Sequence, residues 1–215
     1  MFLDRAQAGS ELAKHLLVYR KLHPIVLAIP RGGVPVALEV ARSLAAPVSL
    51  VIPRKIGAPG NPEMAIGAVG GRGRIILNRP LVAALGISDS YVAREADRQM
   101  AEVRRREHDY LGSAGRPNLT HKTVIVVDDG LASGFTALAA VSAVKADQPR
   151  QVVVAVPVGS AEAVARIRPE VDGVVCLRTP EGFQAVGEYY ARFDQISDAE
   201  VIKMVQGHRP ALGTA

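Results

Sequence analysis

The chain has 215 residues, 48% of them hydrophobic, which is enough for one sizeable core near the upper limit of a single domain. Its 26 basic and 21 acidic residues give a formal charge of +5 spread along the whole length, an excess that suits an anionic small molecule as well as nucleic acid. One cysteine, no apolar run near the roughly 20 residues that span a bilayer, and early charges at Asp4 and Arg5 lead to the expectation of a soluble, cytoplasmic protein with no membrane association.

In chain order, Asp4 and Gln7 resemble a capping box and predict a helix to about Tyr19. The β-branched run IVLAI (25–29) predicts a strand, residues 34–44 a helix, and VSLVI (48–52) a second strand. Residues 53–62, around RKIGAPGN, hold glycines and prolines and are expected to form a long mobile loop before a short strand, AIGAV. From Ser88 to Leu111 an apolar stripe of Val92, Ala96, Met100, Val103 and Leu111 predicts a long helix. Its Arg104, Arg105 and Arg106 form a solvated face; with no aromatic platform or binding motif beside them, a nucleic-acid partner is not expected.

TVIVV (123–127), QVVVAV (151–156) and GVVCL (173–177) complete five apolar strands, the last holding Cys176 as a small hydrophobe. Helices fit 134–145 and 160–168, and Ser197 with Glu200 caps a last helix before Val205. The alternation predicts an α/β fold, a doubly wound and mainly parallel five-stranded sheet. No internal repeat or low-complexity tract occurs, so one domain over 1–206 and a flexible tail at 207–215 are expected.

Ligands of open α/β sheets bind beyond the carboxyl ends of the strands, where Asp128 and Asp129 follow TVIVV. Adjacent carboxylates there can accept hydrogen bonds from vicinal hydroxyls, hold a hydrated magnesium ion, or both. In the next turn, GLASGFT, the backbone amides, the helix dipole and the hydroxyls of Ser133 and Thr136 converge as a phosphate cradle. Together these grips suit a ribose 5-phosphate. A plain surface turn could also carry two aspartates, and in a receiver domain such a pair follows the first strand instead.

VIVVDDGLASGFT resembles the 5-phosphoribosyl-1-diphosphate (PRPP) motif of the type I phosphoribosyltransferases. AIPRGGVPVA is similar to that family's pyrophosphate-binding loop, and RKIGAPGNPEMAIGAV to its flexible catalytic loop as found in a bacterial subgroup. The resemblance implies transfer of 5-phosphoribosyl from PRPP to a planar nitrogen acceptor, with magnesium (Mg²⁺) as cofactor and pyrophosphate as leaving group. It implies that Asp128 and Asp129 face the ribose and metal, that Leu131, Ala132, Ser133, Gly134, Phe135 and Thr136 bind the 5-phosphate, and that Arg31, Gly32 and Gly33 bind pyrophosphate. Arg54 and Lys55 become the loop cations, unless they are simply solvated there; the two glycines alone could equally serve a tight turn.

The resemblance further implies a small hood from the terminal segments, mainly 178–206, with Phe183 stacking on the acceptor unless the nearby aromatics only pack the C-terminal segment. Members of the family commonly form homodimers. Three departures bear on the substrate and the loop: Ala132 stands where members acting on 6-oxopurines carry an aspartate, Gly130 replaces a branched apolar residue, and Phe135 replaces a small or basic one. A glutamine amidotransferase is disfavoured because no cysteine stands at the N-terminus, and PRPP synthesis because it ordinarily uses two such domains. The alternative of a different class is a non-catalytic module that senses PRPP or a nucleotide.

Overall fold

The computed structural model describes residues 1–69, 75–112 and 115–208. Five strands, β1 (Ile25–Ala28), β2 (Val48–Leu50), β6 (Thr123–Val127), β7 (Gln151–Val158) and β8 (Gly173–Arg178), form one parallel sheet in the order β2-β1-β6-β7-β8. Parallel pairing hides both faces, which is why these runs are almost continuously β-branched. Val26, Ala28, Ile125 and Val127 turn to one face, where α1 (Arg5–Leu16), α2 (Gly33–Leu44) and α7 (Asp198–Gly207) cover them. Their neighbours Ile25, Leu27, Val124 and Val126 turn to the other, under α5 (Phe135–Lys145) and α6 (Ala161–Ile167). Full burial of each such Val or Leu contributes about 1.5–3 kcal/mol, so period-two alternation fixes the register.

The chain moves outward from β1 to β2 and later returns to the other side of β1 with β6, whose Val127 lies opposite Ala28. Where the order reverses, the loops leaving β1 and β6 diverge and open a crevice at their carboxyl ends.

A second layer corrects the expectation of a long mobile loop at 53–62. Strands β3 (Arg54–Ala58) and β4 (Asn61–Val69) form an antiparallel hairpin, extended by β5 (Ile75–Leu77) into a three-stranded sheet. Pro59 and Gly60, whose φ is +73°, make the two-residue turn; proline followed by a left-handed glycine punctuates a hairpin here rather than a loop. The helix α4 (Asp89–Leu111) lies on this sheet, and Val92, Ala96, Met100 and Val103 meet Ile56, Ala58, Ile66 and Val69 in a core of their own. Before it comes α3 (Arg79–Ala84), capped by Asn78, a helix the sequence reading did not include. On the outer face of α4, Glu102 pairs with Arg105 at 2.9 Å and Arg106 at 2.7 Å.

Helix ends follow the caps read from the sequence. Ser197 and Glu200 form the full capping box of α7; Asp4 caps Gln7, but the Gln7 amide oxygen accepts from Leu3 N–H instead, so the box at α1 is offset by one residue. Of the tail expected at 207–215, Gly207 ends α7, and 209–215 lie outside the described residues. No described helix is long and apolar enough to cross a membrane.

Candidate active site

The carboxyl ends of β1 and β6 approach so closely that side chains are excluded. A Cβ on Gly32 would lie 2.0 Å from Asp129 Oδ2, so only glycine lets the 31–33 turn sit against the acidic pair. The Pro30–Arg31 peptide is cis. Asp129 N–H donates to Asp128 Oδ1 at 2.9 Å, and Asp129 Oδ2 accepts from Arg5 Nε at 2.7 Å. Tyr190 Oη donates to the Asp129 carbonyl at 2.6 Å.

Burial pushes the carboxyl of Asp128 well above the usual carboxylate range, and the neighbouring Asp129 charge adds to it. Asp129 is also raised by burial, against the pull of Arg5, and burial raises the Tyr190 hydroxyl too. One guanidinium faces two carboxyl groups, so ionising both would leave negative charge over, and a second cation would relieve it. Such a donor set fits a hard divalent cation such as Mg²⁺, and since no described cluster of three or more His, Cys, Asp or Glu could hold a metal unaided, ligand oxygens would complete its shell.

Helix capping separates this edge from the rest of the molecule. Asp4, Asn78, Ser88, Ser160 and Ser197 each cap the amides of α1, α3, α4, α6 and α7 with a side-chain oxygen. The two other described α-helices, α2 behind Gly32 and α5 behind Gly134, have no side-chain cap, and they are the helices that follow β1 and β6. At the start of α2 the Gly33 and Val34 N–H groups donate to the Ile29 and Arg31 carbonyls at 3.1 and 3.2 Å, and Pro35 has none. Helix α2 thus offers the crevice only the positive end of its dipole, whereas at α5 an anion can take the place of the cap.

The loop from Leu131 to Thr136 is braced from outside: Ser160 Oγ donates to the Ala132 carbonyl at 2.8 Å, and Arg166 donates to the Ser133 carbonyl. Gly130 has a packing cause, since a Cβ there would come within 2.5 Å of Val186 Cγ1; the C-terminal segment fills the space that a branched residue would occupy. Phe135 is 55% exposed, its ring 4.7 Å from the Arg166 guanidinium carbon.

Among the residues singled out from the sequence, Asp128, Asp129, Gly32 and Gly33 meet at one point. The Arg31 side chain runs instead to α7, 3.6 Å from Asp198. Arg54 and Lys55 lie across a groove of about 740 Å³ whose walls include Phe135 and Thr136. Arg54 Nε donates to Gln99 Oε1 at 2.9 Å, and burial, with Arg106 nearby, lowers its guanidinium pKa. Phe183 is stacked on Tyr189 at 5.4 Å between ring centres, in a cluster with Phe2 and Tyr190. Arg5 was missed, and Phe193 belongs to the C-terminal aromatics expected either to stack or to pack. Arg5 lies 3.8 Å above the Phe193 ring and donates to the Asp194 carbonyl at 2.9 Å, which brings both termini to Asp129. In the sequence Asp4 stands out as a helix cap, and Arg5 only as part of a break in apolarity.

Comparison with known proteins shows the family and the fold. The family described as the phosphoribosyl transferase domain matches residues 3–191. A protein of Mycobacterium tuberculosis strain H37Rv, named provisionally as a phosphoribosyl transferase, is 41% identical over 97% of this chain and 47% of its own length. The chain thus spans about half the length of the curated relatives it matches. The crystal structure of TT1426 from Thermus thermophilus is 42% identical, covering 98% of this chain and 100% of that one, with a TM-score of 0.88. A purine phosphoribosyltransferase from Pyrococcus horikoshii shares the fold at 15% identity and a TM-score of 0.50, over 92% of this chain and 97% of its own.

Proposed function

We propose, from the premise that the chain belongs to the phosphoribosyl transferase domain family, that it transfers 5-phosphoribosyl from PRPP to a planar nitrogen-containing acceptor and releases pyrophosphate. The observation that carries this reading is the half-buried Asp128–Asp129 pair lying between the two side-chain-uncapped helix starts. A pentose with an anion at each end suits such an arrangement: carboxylates for the hydroxyls, the first-turn amides of α5 for one phosphate group, and the 31–33 turn with the positive end of α2 for the other.

In this reading Asp128 and Asp129 accept from the ribose hydroxyls. The amides of residues 131–136, with Ser133 and Thr136 hydroxyls, hold the 5-phosphate, and the Arg31–Gly33 turn holds pyrophosphate. The C1–oxygen bond breaks with its electron pair leaving on pyrophosphate, and a nitrogen lone pair of the acceptor forms the new bond to C1. Positive charge growing on the sugar is stabilised by the carboxylates, and negative charge on the leaving group by the 31–33 turn and the positive end of the α2 dipole. When bound, Mg²⁺ would neutralise pyrophosphate charge that the turn and the helix dipole alone do not cover. The hairpin carrying Arg54 and Lys55 closes over the groove and excludes water.

A second reading, a PRPP or nucleotide sensor, draws on the Arg5–Asp129 ion pair, since Arg5 engages a carboxylate that the sugar would need. Pyrophosphate release from Mg²⁺–PRPP, measured across a panel of planar bases, separates the two. Release with at least one base, abolished in Asp128→Asn with Asp129→Asn, supports transfer. Binding without release for any base supports the sensor, and unchanged kinetics in the double variant overturns both.

A further inference from the structure

The long helix α4 belongs to both halves of the molecule. Val92, Ala96, Met100 and Val103 pack in the hairpin core, whereas Tyr110 and Leu111, in its last turn, pack in a core of the main sheet with Val201 and Val205 of α7. Tyr110 is buried there, and its hydroxyl donates to Asp198 Oδ1 at 2.7 Å. Burial and that bond push the hydroxyl up to about 12, so it stays a donor across the neutral range. The same oxygen faces Arg31 Nη1 at 3.6 Å, beyond hydrogen-bond reach, so Asp198 is held firmly by Tyr110 and loosely by Arg31. Asp198 has no capping task of its own, because Ser197 and Glu200 cap α7 between them. About three turns, or 16 Å, back along α4, Gln99 accepts from Arg54 of the hairpin.

From this we infer that Asp198 is a positioning residue that couples occupancy of the 31–33 turn to the placement of the hairpin, with α4 as the lever; the inference rests on the proposed phosphoribosyl site. An anion at the turn competes with Asp198 for the Arg31 guanidinium, and the loose, exposed ion pair is the contact that yields. Asp198 is then left to Tyr110 alone, the last turn of α4 resettles against α7, and the shift reaches Arg54 through Gln99. Such coupling is reciprocal, so the placement of the hairpin sets the affinity of the turn for its anion in return.

Calorimetry and hydrogen exchange on the full chain, with and without Mg²⁺–pyrophosphate, test this in the wild type, Asp198→Asn and Tyr110→Phe. Both substitutions nearly conserve side-chain volume, and circular dichroism checks that each variant folds. In the wild type, pyrophosphate is expected to change amide protection in residues 54–69 severalfold. Both variants are expected to bind pyrophosphate but lose that change, and Asp198→Asn to bind it a few-fold more tightly because Arg31 has been released. A residue that merely props α7 would alter protection in 54–69 equally with and without the ligand. A hairpin response in either variant equal to that of the wild type overturns the inference and leaves the phosphoribosyl site standing. Weaker binding in Asp198→Asn overturns it as well, and so does a wild type that binds pyrophosphate with its hairpin unchanged. A wild type that does not bind pyrophosphate overturns the phosphoribosyl site and the coupling together.

Discussion

At the carboxyl edge of the main sheet, Asp129 is gripped by Arg5 and Tyr190 in a space where Gly32 cannot gain a methyl group. Across the groove, Arg54 and Lys55 ride on a hairpin whose core, built with α4, is separate from the main sheet's two cores. The first region is rigid because both its backbone turns are walled by other parts of the chain. The second is joined to α4 by packing and a few polar contacts, among them Tyr91 Oη donating to the Gly57 carbonyl at 3.0 Å. The difference teaches that the acidic pair and the hairpin's cations belong to separate cores, so one can move while the other stays fixed.

The strongest way to break that comparison is Ile66→Ala. Ile66 is fully buried in the hairpin core, and its truncation costs about 2–5 kcal/mol. Hydrogen exchange should then lose protection in β3 to β5 while β6 and β7 amides remain protected; loss in both at once would mean a single cooperative unit. Next in size is Gly32→Ala. Its φ of −62° allows alanine, so the cost comes from the collision with Asp129 alone, about 1–3 kcal/mol, seen as a lower melting temperature together with loss of PRPP binding.

Asp128→Asn should move stability the other way. The folded state holds the Asp128 proton more tightly than the unfolded chain, so stability is greatest below the ordinary carboxylate range and falls as pH rises through the raised value. An asparagine escapes that loss. Thermal melts should show the variant more stable near neutrality by about 1 kcal/mol, the gap closing on acidification, with pyrophosphate release abolished. The smallest effect is expected from Gln99→Leu, which removes the anchor of Arg54 at a cost of about 1 kcal/mol. Steady-state assays should show a lower kcat with the KM for PRPP little changed, because Gln99 touches the covering side only.

What was legible in the sequence is what local pattern controls. Five β-branched runs became the five strands of the main sheet within one or two residues, since continuous burial on two faces leaves little choice of residue. Asp128, Asp129 and the 131–136 loop stand together because a strand end and a helix start are neighbours along the chain. Arg5 meets Asp129 across 124 positions, and Arg166 meets Ser133 across 33, so neither pairing leaves a local trace. The hairpin was misread for a different reason. Proline and glycine mark a tight turn and an open loop alike, and only pairing with β5 and α4 decides between them.

Phe2 is fully buried, pairs with Tyr190, and takes a hydrogen bond from Ala191 at 2.8 Å, while Met1 beside it is 77% exposed. A fluorophore attached at residue 1 would therefore sit on an anchored stub a short way ahead of the arginine that clasps the acidic pair. Spectroscopy from that position should register a sugar phosphate arriving without any label in the pocket itself. By the same geometry, an affinity tag fused there would need a spacer to keep clear of the crevice.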